Sequence, residues 1–516
     1  MLFAGNSFGR RFLQACLHER RLQRLSSVSL LSCPVHTAHE NTYMPKPFTE
    51  VVEPTKLPFI GSALDYTSAK GFELKYIHEL WKKRSAECGE LYKERAPGGE
   101  YIVYCSSPRD SEVMFRSDGR TPIRDALLNV KHARKKLGVP LGLMNLSGLE
   151  WYRIRSAVNP LMLQNDSVWK YMGSQFSVAN DLVVYMKENL NRDFEVPDFN
   201  KVLVRWAFEM TGVFVFDTRL GLLSDKVDFT AKEIIRSSLK MFQIVGETMY
   251  GLQLWKYFDT PKMKELCAAQ QTQLEYTNHY YDKSMWSSNK KRSDEDKTLI
   301  EKILCCPKLS RAEKQMMASD LLLAGIDTTS NAAAFTLYCL TLNQDAQHKV
   351  RQEIFELLKK PEITGRLLEN MTYMNAVIKE TQRMFPFVTS HSRRASEDII
   401  LSGYHVPKGT NILNTSNAIH GRNPEFFNEP DSFMPERWMG PRTRDAKNRF
   451  VMTGSFGMGA RKCLGRKFAQ QELKMLLIAI LSEFCVEYHH KPIRLAFKLT
   501  SYPSEKPQFT FIPLTK

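Results

Sequence analysis

The chain has 516 residues, 43% hydrophobic and 11% aromatic, with a formal charge of +16. This is ordinary globular composition with room for a large core. Its ten cysteines form no C-x-x-C pair, which argues against structural zinc and a disulfide scaffold and for a reducing compartment. The positive balance suits nucleic acid, an anionic membrane or an acidic protein, but no later arginine-rich run is interleaved with aromatics, so no nucleic-acid partner is expected.

Residues 1–36, MLFAGNSFGRRFLQACLHERRLQRLSSVSLLSCPVH, carry five arginines against one glutamate. Phe8, Phe12, Leu13 and Leu17 fall at helical spacing, the composition of a mitochondrial transit peptide, so one mature domain is expected over residues 37–516. No apolar run reaches about 18 residues, so no transmembrane helix is expected. Pro45, Pro47, Pro54 and Pro58 make residues 42–61 an extended lead-in. Residues 70–95 and 149–250 read as helical, and 284–297 as an exposed polar loop. The stretch MMASDLLLAGIDTTSNAAAFTLYCLTL, residues 316–342, predicts a buried helix, and another runs through Phe385. DIILSGYHVPKGTNIL predicts short strands, and a last helix begins beyond Cys463, with Ala469, Leu473, Leu476 and Ile480 on one face.

Residues 456–465, FGMGARKCLG, set one cysteine among three glycines and two cations. An isolated cysteine is usually a buried structural thiol. Here Arg461, Lys462 and the start of the following helix would favour a thiolate, and the glycines allow a tight loop against something flat. A single thiolate under a flat cofactor is one way to hold haem iron.

The stretch resembles the haem loop of the cytochrome P450 family, F-x-x-G-x-R-x-C-x-G, at every fixed position. The resemblance implies haem b (iron protoporphyrin IX), with Cys463 as axial iron ligand, Arg461 on a haem propionate, and Phe456 and Gly459 among the cofactor-binding residues. Ser455 departs from the proline that many members place there. In KETQRMFP, Glu380 and Arg383 share a helix face. By themselves they would be an ordinary surface pair, but the family has a buried E-x-x-R pair, completed here by Arg437 of FMPERW. In LLLAGIDTTSNAA, Gly325 is expected to let a ligand approach the helix backbone. Asp327 and Thr328 set an acid beside an alcohol, resembling the pair that delivers protons on the distal side of the haem. Trp151 and Arg155 of EWYRIR resemble the W-x-x-x-R propionate contact, and Arg393 sits where the family has another propionate arginine. The implied fold is mainly α, one large domain with a small β-rich lobe, the haem between the Asp327 helix and the Cys463 loop.

DTRLGLL, CLGRKFAQQE and PLGLMNLSGLEW look like the mitochondrial branch of that family. The branch implies electrons from NADPH through a flavoprotein and an adrenodoxin-like 2Fe-2S ferredoxin, docking on Lys379, Lys462, Arg466 and Lys467. Asn375 stands where the branch often has a second lysine on the E-x-x-R helix, and Lys474 is expected on a solvated basic face. The implied activity is monooxygenation of a lipophilic, steroid-like substrate, on the matrix side of the inner mitochondrial membrane. DLLLAGIDTTS and GLQLWKYFDTP resemble ecdysteroid-pathway hydroxylases. Residues 240–258 suit either a membrane-dipping surface or core. The alternatives are a xenobiotic-oxidising mitochondrial monooxygenase and a haem-thiolate isomerase.

Overall fold

The computed structural model describes residues 44–515, apart from residue 56 and residues 68–72, 97–98, 225–226, 288–296 and 441–453. The expected transit peptide lies outside the described residues, as does most of the expected polar loop at 284–297. The longer helices, in chain order, are α1 (Ile77–Cys88), α2 (Pro108–Ser117), α3 (Leu128–Lys136), α4 (Gly148–Met162), α5 (Met172–Glu188), α6 (Phe199–Phe216), α7 (Phe229–Met249), α8 (Pro261–Ser287), α9 (Arg311–Thr341), α10 (Gln344–Leu358), α11 (Thr372–Met384) and α12 (Arg466–Leu481). The mainly helical expectation holds, with one correction near the start. Residues 70–95 are not all helix, because Gly89 at φ +89° ends α1 and β1 (Leu91–Arg95) follows.

α9 fixes the architecture. Ser310 caps it with a capping box: its hydroxyl accepts from the Glu313 N–H, and Glu313 accepts from the Ser310 N–H at 2.8 Å. Every residue from Thr329 to Thr341 is buried, so this half of the helix is enclosed on all sides. The alanines at 332–334 keep it thin enough for α6, α8 and α12 to pack around it. The N-terminal half is less fully enclosed, and the cavity runs along α9 from Met317 to Ala332.

The β-rich lobe is built on β1, β2 (Tyr101–Cys105), β3 (His391–Arg394) and β6 (Asn411–Asn414), in the order β1-β2-β6-β3. β2 and β6 run parallel, with Val103 opposite Ile412, and β3 pairs antiparallel with Ser392 opposite Leu413. β4 (Ile399–Leu401) and β5 (Tyr404–Val406) form the hairpin expected from DIILSGYHV. After α12 come β7 (Phe484–Glu487), β8 (Leu495–Phe497), β9 (Ser501–Pro503) and β10 (Thr510–Pro513), paired β7–β10 and β8–β9.

The DTRLGLL turn has a local cause. Glu209 of α6 is fully buried, accepts the Leu220 and Leu222 N–H groups at 2.9 Å, and binds Arg219 Nε at 2.7 Å. One carboxylate therefore pins the whole loop, which marks these residues as scaffold. Residues 240–258 divide between the two readings. Met241, Phe242, Val245 and Trp255 belong to a core cluster, whereas Leu254, Tyr257 and Phe258 are 51%, 67% and 67% exposed.

Candidate haem-thiolate site

Cys463 is presented by a glycine-shaped loop. Gly457 and Gly459 take φ of +70° and +69°, which an L side chain rarely adopts. The loop closes through the Cys463 N–H on Phe456 O at 2.8 Å and the Lys462 N–H on Gly459 O at 3.2 Å. The sulfur opens on to an internal cavity of about 320 Å³ that it lines together with Phe456, Gly457 and Thr328. Burial pushes its thiol up, opposed by the Gly465 N–H and by the charges of Arg155 and Arg466. The expected cations were the wrong ones. Arg461 instead reaches Leu146 O and lies over the Trp151 ring at 4.5 Å, while Lys462 is exposed and lends its carbonyl to Arg155 at 2.6 Å. In an irregular loop, sequence neighbours need not be spatial neighbours.

Arg155, Arg393, Arg461 and Trp151 all border this cavity, as the resemblance implied, and Arg124 joins them. Arg124 belongs to no motif seen in the sequence, and only the tertiary structure could find it. The Nε atoms of Arg124, Arg155 and Arg461 are buried and have no acceptor within the described residues. Burial and then repulsion from Arg124 and Arg393 lower Arg461 to about 8, while burial, with Arg393 and Arg155 nearby, lowers Arg124 to about 10. Crowded guanidiniums with unsatisfied donors suit a planar group with an anionic edge. A haem fits: Cys463 would take the iron, Arg124, Arg155, Arg393 and Arg461 the propionates, and Phe456 and Gly457 the flat face. Gly459 is not part of the lining; a Cβ there would lie 3.4 Å from Phe115 O.

α9 presents Met317, Asp320, Leu321, Ala324, Thr328 and Ala332 to the same cavity at three- and four-residue steps. Thr328 Oγ1 donates to Ala324 O at 2.6 Å. Asp327 does not border the cavity. Its carboxylate accepts from Thr500, at the β8–β9 turn, and burial raises its pKa against the pull of Thr500 and Lys498. Adjacent helix residues point about 100° apart, and at this point of α9 Thr328 borders the cavity while Asp327 is turned to the β8–β9 turn. Gly325 also differs from expectation: a Cβ there would meet Thr211 Oγ1 at 2.4 Å, so this glycine lets α6 close on α9 as well as bordering the cavity.

The E-x-x-R brace is present. Arg383 Nε and Nη2 bind Glu380 at 2.9 and 2.8 Å, Arg437 Nε binds it at 2.9 Å, and Trp438 Nε1 and the Met434 N–H complete its shell. Arg383 also donates to the carbonyls of Gly421, Pro430 and Ser432, so it ties α11 to the segment leading toward the cysteine loop.

The basic residues expected to dock a ferredoxin divide. Lys462 and Arg466 are exposed, Lys379 is half-buried, and Lys467 binds Asn165. Lys474 is corrected outright. It is buried, donates to Leu368 O at 2.9 Å, and burial lowers it to about 8. Every residue of α12 from Gln471 to Leu481 is buried, so this part of the helix has no solvated side for Lys474 to occupy.

A glycine-shaped cysteine loop open to a cationic cavity, a braced helix and one long helix over that cavity define a haem-thiolate protein. The cytochrome P450 family model matches residues 52–511, and the chain belongs to that family. It is 30% identical to cytochrome P450 10 of Lymnaea stagnalis over 88% of this chain and 86% of that one. It is 29% identical to the probable mitochondrial cytochrome P450 12a5 of Drosophila melanogaster, covering 89% and 92%, and 30% identical to CYP12A2 of Musca domestica, covering 82% and 83%. The chain is accordingly a haem monooxygenase of this family.

Proposed function

We propose that this monooxygenase works in mitochondria, on the matrix side of the inner membrane, and hydroxylates a lipophilic, steroid-like molecule with electrons passed from NADPH through an adrenodoxin-like ferredoxin. The observation that carries the reading is the pairing of Cys463 with four cavity arginines, of which Arg124, Arg155 and Arg461 keep a buried Nε without an acceptor among the described residues. Haem, when bound, supplies dioxygen activation and the oxidising power; the chain supplies its ligand, its anchors and the proton path. Thr328, held by Ala324 O, keeps a hydroxyl at the cavity wall, and Asp327 exchanges its proton through the Thr500 side. Leu143, Met144, Met317, Leu321, Phe387 and Val388 exclude water and favour an apolar substrate.

Mitochondrial placement is supported by the basic first 36 residues and by relatives such as the probable mitochondrial cytochrome P450 12a5 of Drosophila melanogaster. Membrane contact is supported by exposed Leu254, Tyr257 and Phe258, while among the described residues no helix is long and apolar enough to cross a bilayer. The ecdysteroid-type substrate rests on sequence resemblance alone, with a xenobiotic as the rival. The haem-thiolate reading is tested by the ferrous carbonyl spectrum: the parent shows the red-shifted thiolate band and Cys463→Ser does not. A sterol panel that leaves the haem absorption unmoved, while foreign molecules shift it, overturns the substrate class. Turnover independent of ferredoxin overturns the electron route.

A further inference from the structure

Among the described residues, Arg393 is the cavity arginine that has an ion-paired carboxylate of its own. Asp118 Oδ2 lies 2.5 Å from Arg393 Nε, and both side chains are 4% exposed. The pair joins two elements far apart in sequence, Asp118 at the C-terminal end of α2 and Arg393 on β3. The same carboxylate lies against the cysteine loop, since a Cβ on Gly459 would stand 3.8 Å from Asp118 Oδ2. It also acts on Arg461, whose charge it favours. Asp118 is therefore an anion set into an otherwise cationic wall, on the side where the haem's carboxylates would lie.

A plain structural role would be to tie α2 to β3, and the short contact serves that. Two features go beyond it. Arg393 is one of the propionate arginines that the family resemblance implies; the carboxylate on its Nε and Ser392 O on its Nη1 at 2.8 Å fix the guanidinium plane and leave Nη2 to the ligand. Secondly, charge in a water-poor site acts strongly on a nearby redox centre. We propose that Asp118 is a positioning residue that orients Arg393 and lowers the midpoint potential of the haem iron. A fixed negative charge stabilises the more positive ferric state, and its removal leaves four guanidiniums that favour the reduced one.

This inference rests on the haem-thiolate reading of the site, and its test separates the two. The full chain loaded with haem is titrated spectroelectrochemically as parent, Asp118→Asn, Arg393→Gln and the double variant. Asp118→Asn is expected to raise the midpoint potential and Arg393→Gln to lower it. The double variant, which removes one charge of each sign, is expected to return close to the parent. A tie between elements would give no such opposed shifts. The proposal is overturned if Asp118→Asn leaves the potential unchanged or lowers it, in protein that keeps the thiolate carbonyl band. Should Asp118→Asn fail to take up haem, the double variant against Arg393→Gln reads the same carboxylate: a higher potential in the double supports the proposal, and an equal or lower one overturns it. A parent chain without the thiolate band defeats the haem-thiolate reading itself.

Discussion

Two clusters of arginine in this molecule are treated in opposite ways. Arg383 and Arg437 converge on Glu380, and their remaining donors find backbone carbonyls, so that the brace is completed by the chain. Arg124, Arg155 and Arg461 converge on a cavity and keep buried Nε groups without acceptors. Both clusters are buried and both contain arginine, yet one is structural and the other is made for a ligand. The difference teaches that several unsatisfied guanidinium donors converging on one cavity, rather than charge or burial alone, mark a place built for a ligand.

Breaking the finished cluster has the largest expected effect. Glu380→Gln leaves Arg383 buried without its counter-charge, at a cost of about 3–5 kcal/mol, and should abolish soluble, haem-containing protein. Thermal unfolding and soluble yield check this. Breaking the open cluster should separate haem binding from folding. Arg461→Gln removes a charged donor worth about 1.5–3 kcal/mol, so haem should pass to a haem-scavenging protein roughly 10–100-fold faster. The apoprotein should not lose stability. The guanidinium stays charged throughout the working pH range, so its burial among Arg124 and Arg393 is a standing cost to the apoprotein, and Arg461→Gln should leave the thermal unfolding midpoint of the apoprotein unchanged or raised.

Glu472 sharpens the comparison because it is a buried acid with no cation. It borders the cavity, accepts from Gln175 Nε2 at 3.4 Å, and burial pushes it up to about 8. A raised carboxyl pKa means that the fold loses stability as pH rises from about 4.5 toward 8. Glu472→Gln should flatten that loss and gain on the order of 1–3 kcal/mol at pH 7, measured by denaturant unfolding of the apoprotein at several pH values. The smallest effect is expected at the exposed rim. Arg466→Ala should raise the half-saturating ferredoxin concentration a few-fold, corresponding to about 0.5–1 kcal/mol, more at low salt than high. No change at either ionic strength would remove Arg466 from the docking face.

Much of this was readable from residue order because it is local. The Cys463 loop, the Glu380–Arg383 pair, the buried course of α9 and the β4–β5 hairpin each depend on residues within one turn or one motif, where spacing fixes geometry. Asp327 and Lys474 were read less well. Which way a helical side chain points relative to a cavity depends on what packs around the helix, and for Asp327 that is Thr500, 173 residues away.

The amino-acid order by itself determined the family, the glycine-shaped cysteine loop and the brace, since each is a short pattern whose geometry is set by neighbouring residues. Only the tertiary structure decided that Arg124 joins the cavity arginines, that Arg155 and Arg466 rather than Arg461 and Lys462 act on Cys463, and that Asp118 sits among them. Charges interact through space at distances of a few ångströms, and packing alone sets those distances between segments far apart in the chain.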